Sequence, residues 1–474
     1  MLLSLSPIIL LVVLLFSAVQ LFGADASYGP NQVALLIASA AAGLVGMYRG
    51  LTWAEVQDSM VAGIRVGLGP ILILLAVGGL IGSWMVAGTV PAMIYYGVSI
   101  LNPSIFFAAA AIICALASIS IGSSWTVAGT LGIGLIGIAD SYGLSPAMAA
   151  GAIISGAYFG DKLSPLSDTT NLAAACTNVD LFAHIRHMLW TTVPAFCLAL
   201  IFFFMIDSGA ATAPEQIAEL RSAISAEFNV GVAVLIPLVV MLGLIWWRVP
   251  AYPAIMLATL AGVLTAVTLQ TAVVEKFALN ANPDATVPLI EGLWRTLFAG
   301  FEGTTSNEEL NRLISKGGIA SMLNTVWLIL SALAFGGVLE RTGILKQILD
   351  AVLKAVKSTG DLVLATVTGG FVTNILAADQ FLAIALPGRL FSSTYDDFRL
   401  SRENLSRTLE DSATMTSALI PWNTCGAYMA ATLGVATFEY APYAIFNIAC
   451  PLIAIAFGYL MFQQKPAEAA TSSA

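Results

Sequence analysis

Four stretches of this chain hold side chains suited to binding a small cation or a proton. Residues 161–171 read DKLSPLSDTTN: Asp161 and Asp168, with Ser164, Ser167, Thr169, Thr170 and Asn171, around Pro165. Proline removes a backbone donor and breaks the i→i−4 ladder, which frees carbonyls. Gly122 precedes Ser123, Ser124, Trp125 and Thr126. Thr373 and Asn374 are followed by Asp379 and Gln380. Glu410 and Asp411 lead into Thr414, Thr416 and Ser417, then Pro421, Trp422 and Asn423. Carboxylates, hydroxyls and freed carbonyls together make an oxygen cage of the kind an alkali cation accepts. Burial raises a carboxyl pKa and a bound cation lowers it, so proton and Na⁺ compete for one group. Each stretch also has a plainer reading. Residues 161–171 fit a solvated loop, Asp379 fits a helix N-cap, and small residues at 122–126 fit close helix packing. Adjacent Glu410 and Asp411 leave a helix in different directions, so at least one faces the bundle interior.

These residues sit among elements that belong in lipid. Of 474 residues, 58% are hydrophobic and 10% charged, against about 25% charged in a soluble domain. So few charges cannot coat a water-soluble protein of this length, and a soluble enzyme, a disordered chain and a disulfide scaffold are excluded. Apolar runs approaching the ~20 residues of a membrane crossing fall at 2–22, 31–48, 70–87, 188–206, 228–247, 250–273, 318–339 and 442–462. Residues 2–22 lack a basic leader and a cleavage site, so they read as a first span. The net charge of −9 comes without any basic stripe for nucleic acid. Five cysteines without metal-ligand spacing are packing residues. His184 and His187 read as an interfacial pair. Trp246, Trp247, Tyr95 and Tyr96 read as interfacial anchors, and 341–357 as an amphipathic interfacial helix. No Walker motif, nucleophile–base set or metal cluster suggests an enzyme.

Residues 103–180 and 361–436 are apolar but interrupted by Gly, Ser, Thr, Pro and Asp. Irregular backbone at membrane depth survives only when buried or lining a watery cavity. Each region fits a re-entrant hairpin (103–139 and 361–388) followed by a broken crossing helix (145–180 and 408–436). Interrupted segments at matching places in two halves point to a transporter site. GSSWTVAGTLGIGLIG at 122–137 aligns with VTNILAADQFLAIALP at 372–387. That offset of 250 sets Ser123-Ser124 against Thr373-Asn374, Asp161 against Asp411, Ser164 against Thr414 and Ser167 against Ser417.

Charge orients the halves. No Lys or Arg lies between Arg65 and Lys162, whereas the second half has Arg341, Lys346, Lys354, Lys357, Arg389, Arg399, Arg402 and Arg407. Cytoplasmic loops are rich in both, so the halves run in opposite directions. The expected fold is an all-α polytopic membrane protein, an inverted repeat of 5+5 crossings with two re-entrant hairpins and two broken helices. The first repeat spans 1–206 and the second 228–462. Segments 207–227 and 274–316 are expected to be external, the tail 463–474 cytoplasmic, and both termini on the cytoplasmic side of the cell (inner) membrane.

The runs GAYFGDKLSPLSDTTNLA, TNILAADQFLAIALPGRLF and NLSRTLEDSATMTSALIPWNTCGAYMA closely resemble the NhaC-type Na⁺/H⁺ antiporter family, supported by GGLIGSWMVAGTVPAMIYYG. More distantly, the hairpin-plus-broken-helix plan resembles the ion-transporter superfamily. The resemblance implies Na⁺/H⁺ exchange by alternating access, no cofactor, and a homodimer. It sets Ser123 to Thr126 against Asp161 to Thr169, and Thr373-Asn374 against Asp411 to Ser417, with Na⁺ at the Asp161 and Asp411 regions. Asp168, Asp379 and Glu410 are further ion or proton candidates. Trp125, Asn171, Gln380, Thr416, Trp422 and Asn423 are candidates for the substrate path. The alternative cargo is a small organic acid such as malate or lactate, or an amino acid, coupled to Na⁺, with Lys162 as its main cationic anchor.

Overall fold

In lipid a backbone must satisfy its own polar groups, and helices do this within one segment. The computed structural model accordingly consists of helices and short connections, with no β-strand among the described residues, which are 2–206 and 214–466. Residues 207–213 of the expected linker and 467–474 of the expected tail lie outside them. Among the described residues, eight helices are long and apolar enough to cross a membrane, or up to ten if two bent pairs each count as one span.

The first half contains α1 (Leu2–Phe22), α2 (Pro30–Tyr48), α3 (Trp53–Val66), α4 (Leu68–Val86), α5 (Thr89–Ile100), α6 (Phe106–Ile121) and α7 (124–141). It continues with α8 (Pro146–Leu163), α9 (Asp168–Thr177) and α10 (Leu181–Met205). Next come α11 (Pro214–Glu227), α12 (Val232–Trp246), α13 (Ala251–Leu269), α14 (Thr271–Ala281), α15 (Pro288–Phe298) and α16 (Glu308–Ile314). The last group is α17 (Ile319–Arg341), α18 (Ile344–Leu353), α19 (Thr359–Ala377), α20 (Gln380–Asp397), α21 (402–417), α22 (Thr424–Leu433), α23 (Thr437–Tyr443) and α24 (Ile445–Tyr459).

Six of the expected spans appear as single helices, whereas 228–247 and 442–462 appear only within the bent pairs, and 103–121 and 359–377, expected as hairpin limbs, are themselves long and apolar enough to cross. The stretches 207–227 and 274–316, expected as loops, carry α11 and α14 to α16. Helix α3 was not anticipated, although Thr52 and Glu55 form a capping box at its start and face the sequence signature of a helix N-terminus. The helix breaks at 122–123, 164–167, 378–379 and 418–423 fall inside the regions expected to be interrupted, and α20 runs on to Asp397.

Close packing rests on small residues, as it does where lipid offers no hydrophobic drive between helices. Gly156 and Gly160 of α8 press on the carbonyls of Ala111 and Ala115 in α6, where any side chain would collide. Gly63 of α3 meets Leu333 and Gly337 of α17 in the same way. Gly336 of α17 seats the end of α19: a Cβ there would lie 2.7 Å from the Ala377 carbonyl oxygen.

Backbone landmarks recur along the chain, but 256 residues apart rather than 250. Gly122 and Ala378 end α6 and α19 in the left-handed conformation (φ +73° and +57°). Ser123 and Asp379 cap the helices that follow. Gly143 and Arg399 both have positive φ, Ser145 and Ser401 cap α8 and α21, and Ser167 and Asn423 cap α9 and α22. This register corrects the sequence alignment: Asp161 corresponds to Ser417, not Asp411, and Ser123-Ser124 corresponds to Asp379-Gln380, not Thr373-Asn374.

Candidate functional site

Helix α8 stops at Leu163 because Pro165 cannot continue its ladder, and Ser167 starts α9 by accepting from the Thr170 amide. Asp161 therefore sits in the last turn before the break, buried. Its Oδ2 accepts from the Ser124 amide at 3.0 Å and from the Ser124 hydroxyl at 2.7 Å. Ser124 opens α7, so the carboxylate lies at the positive end of a helix, a natural place for negative charge. Ser123 Oγ accepts from the Thr126 amide and hydroxyl at 3.2 and 3.0 Å. The turn at Gly122 touches the break itself: a Cβ on Gly122 would lie 2.6 Å from Leu166 Cβ.

A cavity of about 220 Å³ opens beside this contact. Ser123, Trp125, Thr126, Asp161, Ser167, Asp168 and Thr169 line it, and Gln380 and Phe381 reach it from the second turn. Its lining combines carboxylates with hydroxyls and contains neither Lys nor Arg. Ser164 is buried as the cap of α8 and accepts from the Leu166 amide. Asn171 lies outside this group and braces the break by donating to the Pro165 and Ser167 carbonyls at 2.9 and 2.8 Å.

At the second junction Asp379 caps α20 through Oδ1, which accepts from the Leu382 amide at 2.9 Å, while Oδ2 is buried without a hydrogen-bond partner. Asp379 faces a separate cavity of about 720 Å³ whose lining includes Glu340 and Arg341; Phe381 borders both cavities. Thr373 lies on the body of α19 and bonds the Gly369 carbonyl. Asn374 donates to the Ala413 carbonyl at 2.6 Å and to Thr416 Oγ1 at 3.0 Å, and accepts from Asn423 at 3.0 Å. Trp422 Nε1 donates to the Ile375 carbonyl at 2.9 Å. Thr373, Asn374, Thr416, Trp422 and Asn423 thus knit the second hairpin to the second broken helix and do not line the cavity beside Asp161. The Ser417 hydroxyl donates to the Thr414 carbonyl at 2.7 Å and lies 3.3 Å from Gln380 Oε1, linking it to that cavity indirectly.

Asp411 has a different partner from the one expected. Its Oδ1 forms an ion pair with Lys162 Nζ, both residues fully buried, and accepts from Thr191 at 2.9 Å. A buried ammonium is tolerable only when paired, so the lysine expected to anchor an organic acid is already neutralised. Beside the pair lies Glu410, fully buried, its carboxylate facing Lys162 and the Thr414 and Thr169 hydroxyls. Sequence reasoning missed Thr191 and the destination of Lys162. The available signal was the lysine itself, since any lysine in an apolar helix demands a carboxylate from elsewhere.

His184 departs from the interfacial reading too: it is fully buried, with Nδ1 2.9 Å from Ser406 Oγ. The two halves also meet through Trp125, which stacks on Tyr428 (ring centres 4.0 Å apart, planes 14° from parallel) and accepts at its carbonyl from the Tyr428 hydroxyl at 2.9 Å.

Comparison with known proteins gives consistent matches. Residues 156–462 match the sequence profile described as the Na⁺/H⁺ antiporter family. The chain is 39% identical over 433 residues to the Na(+)/H(+) antiporter NhaC of Alkalihalophilus pseudofirmus, covering 91% of this chain and 89% of that protein. It is 37% identical to the malate-2H(+)/Na(+)-lactate antiporter of Bacillus subtilis, with the same coverage. It is 35% identical over 480 residues to the arginine/ornithine antiporter ArcD of Halobacterium salinarum, covering 99% and 95%.

Proposed function

This chain belongs to the Na⁺/H⁺ antiporter family, and from that premise we propose that it exchanges Na⁺ for H⁺ across the cell membrane by alternating access. The observation that carries the reading is Asp161: a carboxylate at a helix break, held by the Ser124 amide and hydroxyl, on a cavity lined with hydroxyls. Na⁺ is the cargo, taken by Asp161 with Ser123, Thr126, Ser167 and Thr169 as neighbouring oxygen donors, and Asp168 at the cavity wall. A proton taken by Asp161 empties the site, because carboxylic acid and Na⁺ carboxylate are mutually exclusive. Asp411 serves instead to neutralise Lys162.

In this reading the two hairpins enter from opposite membrane faces, the termini are cytoplasmic, two 5-crossing repeats counter-rotate, and two copies pair. Movement follows from the construction, since broken helices and turns at a repeat interface permit rocking around a fixed site.

Exchange of a small organic acid or amino acid is the second reading, and the names of two relatives favour it. The site chemistry weighs against it: Lys162 is spent on Asp411, and no cation lines the cavity beside Asp161 among the described residues. Purified protein in liposomes distinguishes the two. An imposed Na⁺ gradient is expected to move protons, read by an internal pH dye, with no organic solute present. Flux that appears only after adding malate, lactate or an amino acid overturns the Na⁺/H⁺ reading.

A further inference from the structure

The ion site at Asp161 uses the smaller of two neighbouring cavities. The larger, of about 720 Å³, is lined by α17 from Leu333 to Glu340 and Arg341, about 12 Å of helix. Arg341 is 54% exposed and pairs with the exposed Glu55 at 3.1 Å, so this end of the cavity meets the surface. Asp379, which is buried, lines its inner end.

The two cavities lie end to end along one seam, because the same elements line both in succession. On α9, Asp168 and Thr169 line the smaller cavity and Leu172, a turn further on, lines the larger. Where α3 meets α4, Gly69 lines the smaller and Val66 the larger. At the second turn Gln380 lines the smaller and Asp379 the larger, and Phe381 is the one described residue that lines both. Carboxylates therefore stand on either side of a phenyl ring. The ring offers a cation no lone pair and water no hydrogen bond, and apolar constrictions of this kind gate by dewetting.

The second broken helix sets where this ring lies. The Asp379 carboxylate caps α20 and faces the Phe381 and Leu382 amides. The Ala378 carbonyl accepts from the Thr424 amide at 2.9 Å, which ties the turn to the first residue of α22. On the same helix Tyr428 holds Trp125, a wall of the smaller cavity. A shift of α22 thus moves the ring and the Asp161 cavity together.

We propose that the larger cavity is the ion's vestibule on the membrane face where α17 ends, and that Phe381 is the gate between this vestibule and Asp161. The proposal rests on the Na⁺/H⁺ reading and adds the path by which the ion reaches its site. With the ring in its present place the cavities are separate. Displacing it joins them, and Na⁺ passes from the Asp379 end of the vestibule to the oxygen donors around Asp161.

The test reads coupling as well as rate. Wild type and variants are reconstituted without organic solute, and ²²Na⁺ flux and proton flux are followed together, giving the protons moved per Na⁺. Phe381→Ala joins the cavities permanently, so Na⁺ slips through without exchange, and the protons moved per Na⁺ are expected to fall to half or less. A residue that only packs the fold would change both fluxes alike and leave that ratio untouched. Ala385, which lines the vestibule away from both the ring and the ion site, supplies a second variant should Phe381→Ala not accumulate. Ala385→Cys is labelled in detergent with a trimethylammonium thiosulfonate and then reconstituted. The label is expected to cut both fluxes by about ten-fold beyond any effect on labelled wild type. An unchanged ratio in Phe381→Ala, or labelled Ala385→Cys as active as labelled wild type, overturns the gate. A wild type that moves neither ion overturns the exchange reading, and the gate falls with it.

Discussion

At the first junction Asp161 takes two hydrogen bonds from Ser124 and faces an open cavity. At the position 256 residues on, the Ser417 hydroxyl donates to the Thr414 carbonyl at 2.7 Å and lies 3.3 Å from Gln380 Oε1. The backbone around the two is the same: a left-handed residue ending a limb, a capped return helix, a proline in the break and a capped second segment. What the second half places deep in the membrane is Glu410 and Asp411, two turns before its break, inside a segment of π-helix. The pairing of Asp411 with Lys162 then joins the halves. Similar backbone geometry thus carries different chemistry: one junction sets an acid on an open cavity, and the other half uses an acid to satisfy a lysine.

That contrast can be attacked directly. Lys162→Met leaves Asp411 buried without its partner, at a cost of about 3–5 kcal/mol. Thermal unfolding in detergent is expected to fall accordingly, and the double variant Lys162→Met/Asp411→Leu to recover most of the loss. A single variant as stable as wild type would show that the pair is not what Asp411 is for. Asp161→Asn is expected to reduce Na⁺-driven proton flux by about 100-fold, roughly 2.7 kcal/mol, with unfolding unchanged within a few degrees. Asp379→Ala removes a cap worth about 1 kcal/mol, visible as lower stability, while Na⁺ affinity stays near wild type. Ser417→Ala is the mildest: a neutral hydrogen bond is worth about 1 kcal/mol, so flux should fall less than about five-fold. A loss as deep as that of Asp161→Asn would make the two junctions chemically equivalent after all.

The apolar runs, the broken regions and the proline-marked breaks were legible because each has a local signal: hydropathy for spans, and Pro165 and Pro421 for interruptions. The first turn was legible for the same reason, since Gly122 supplies the left-handed residue its geometry requires. The second turn lies within the expected tip 373–380, and Asp379 is the cap expected of it, but Ala378 fills the left-handed position, and alanine carries no signal that would fix the register. Without that signal the alignment slipped by six residues and paired Asp161 with Asp411 instead of Ser417. The Asp161–Ser124 contact lay within the expected segments. The fates of Lys162 and His184 depended on partners 249 and 222 residues away, which no local pattern encodes.

The stack of Trp125 on Tyr428 ties the first turn to α22, the far segment of the opposite broken helix. Two elements of different origin are thereby riveted into one mobile part, and a ring sandwich that slides or opens during turnover changes the light that indole emits. The protein carries its own optical gauge of the stroke, readable by comparing emission on Na⁺ addition with that of Tyr428→Leu.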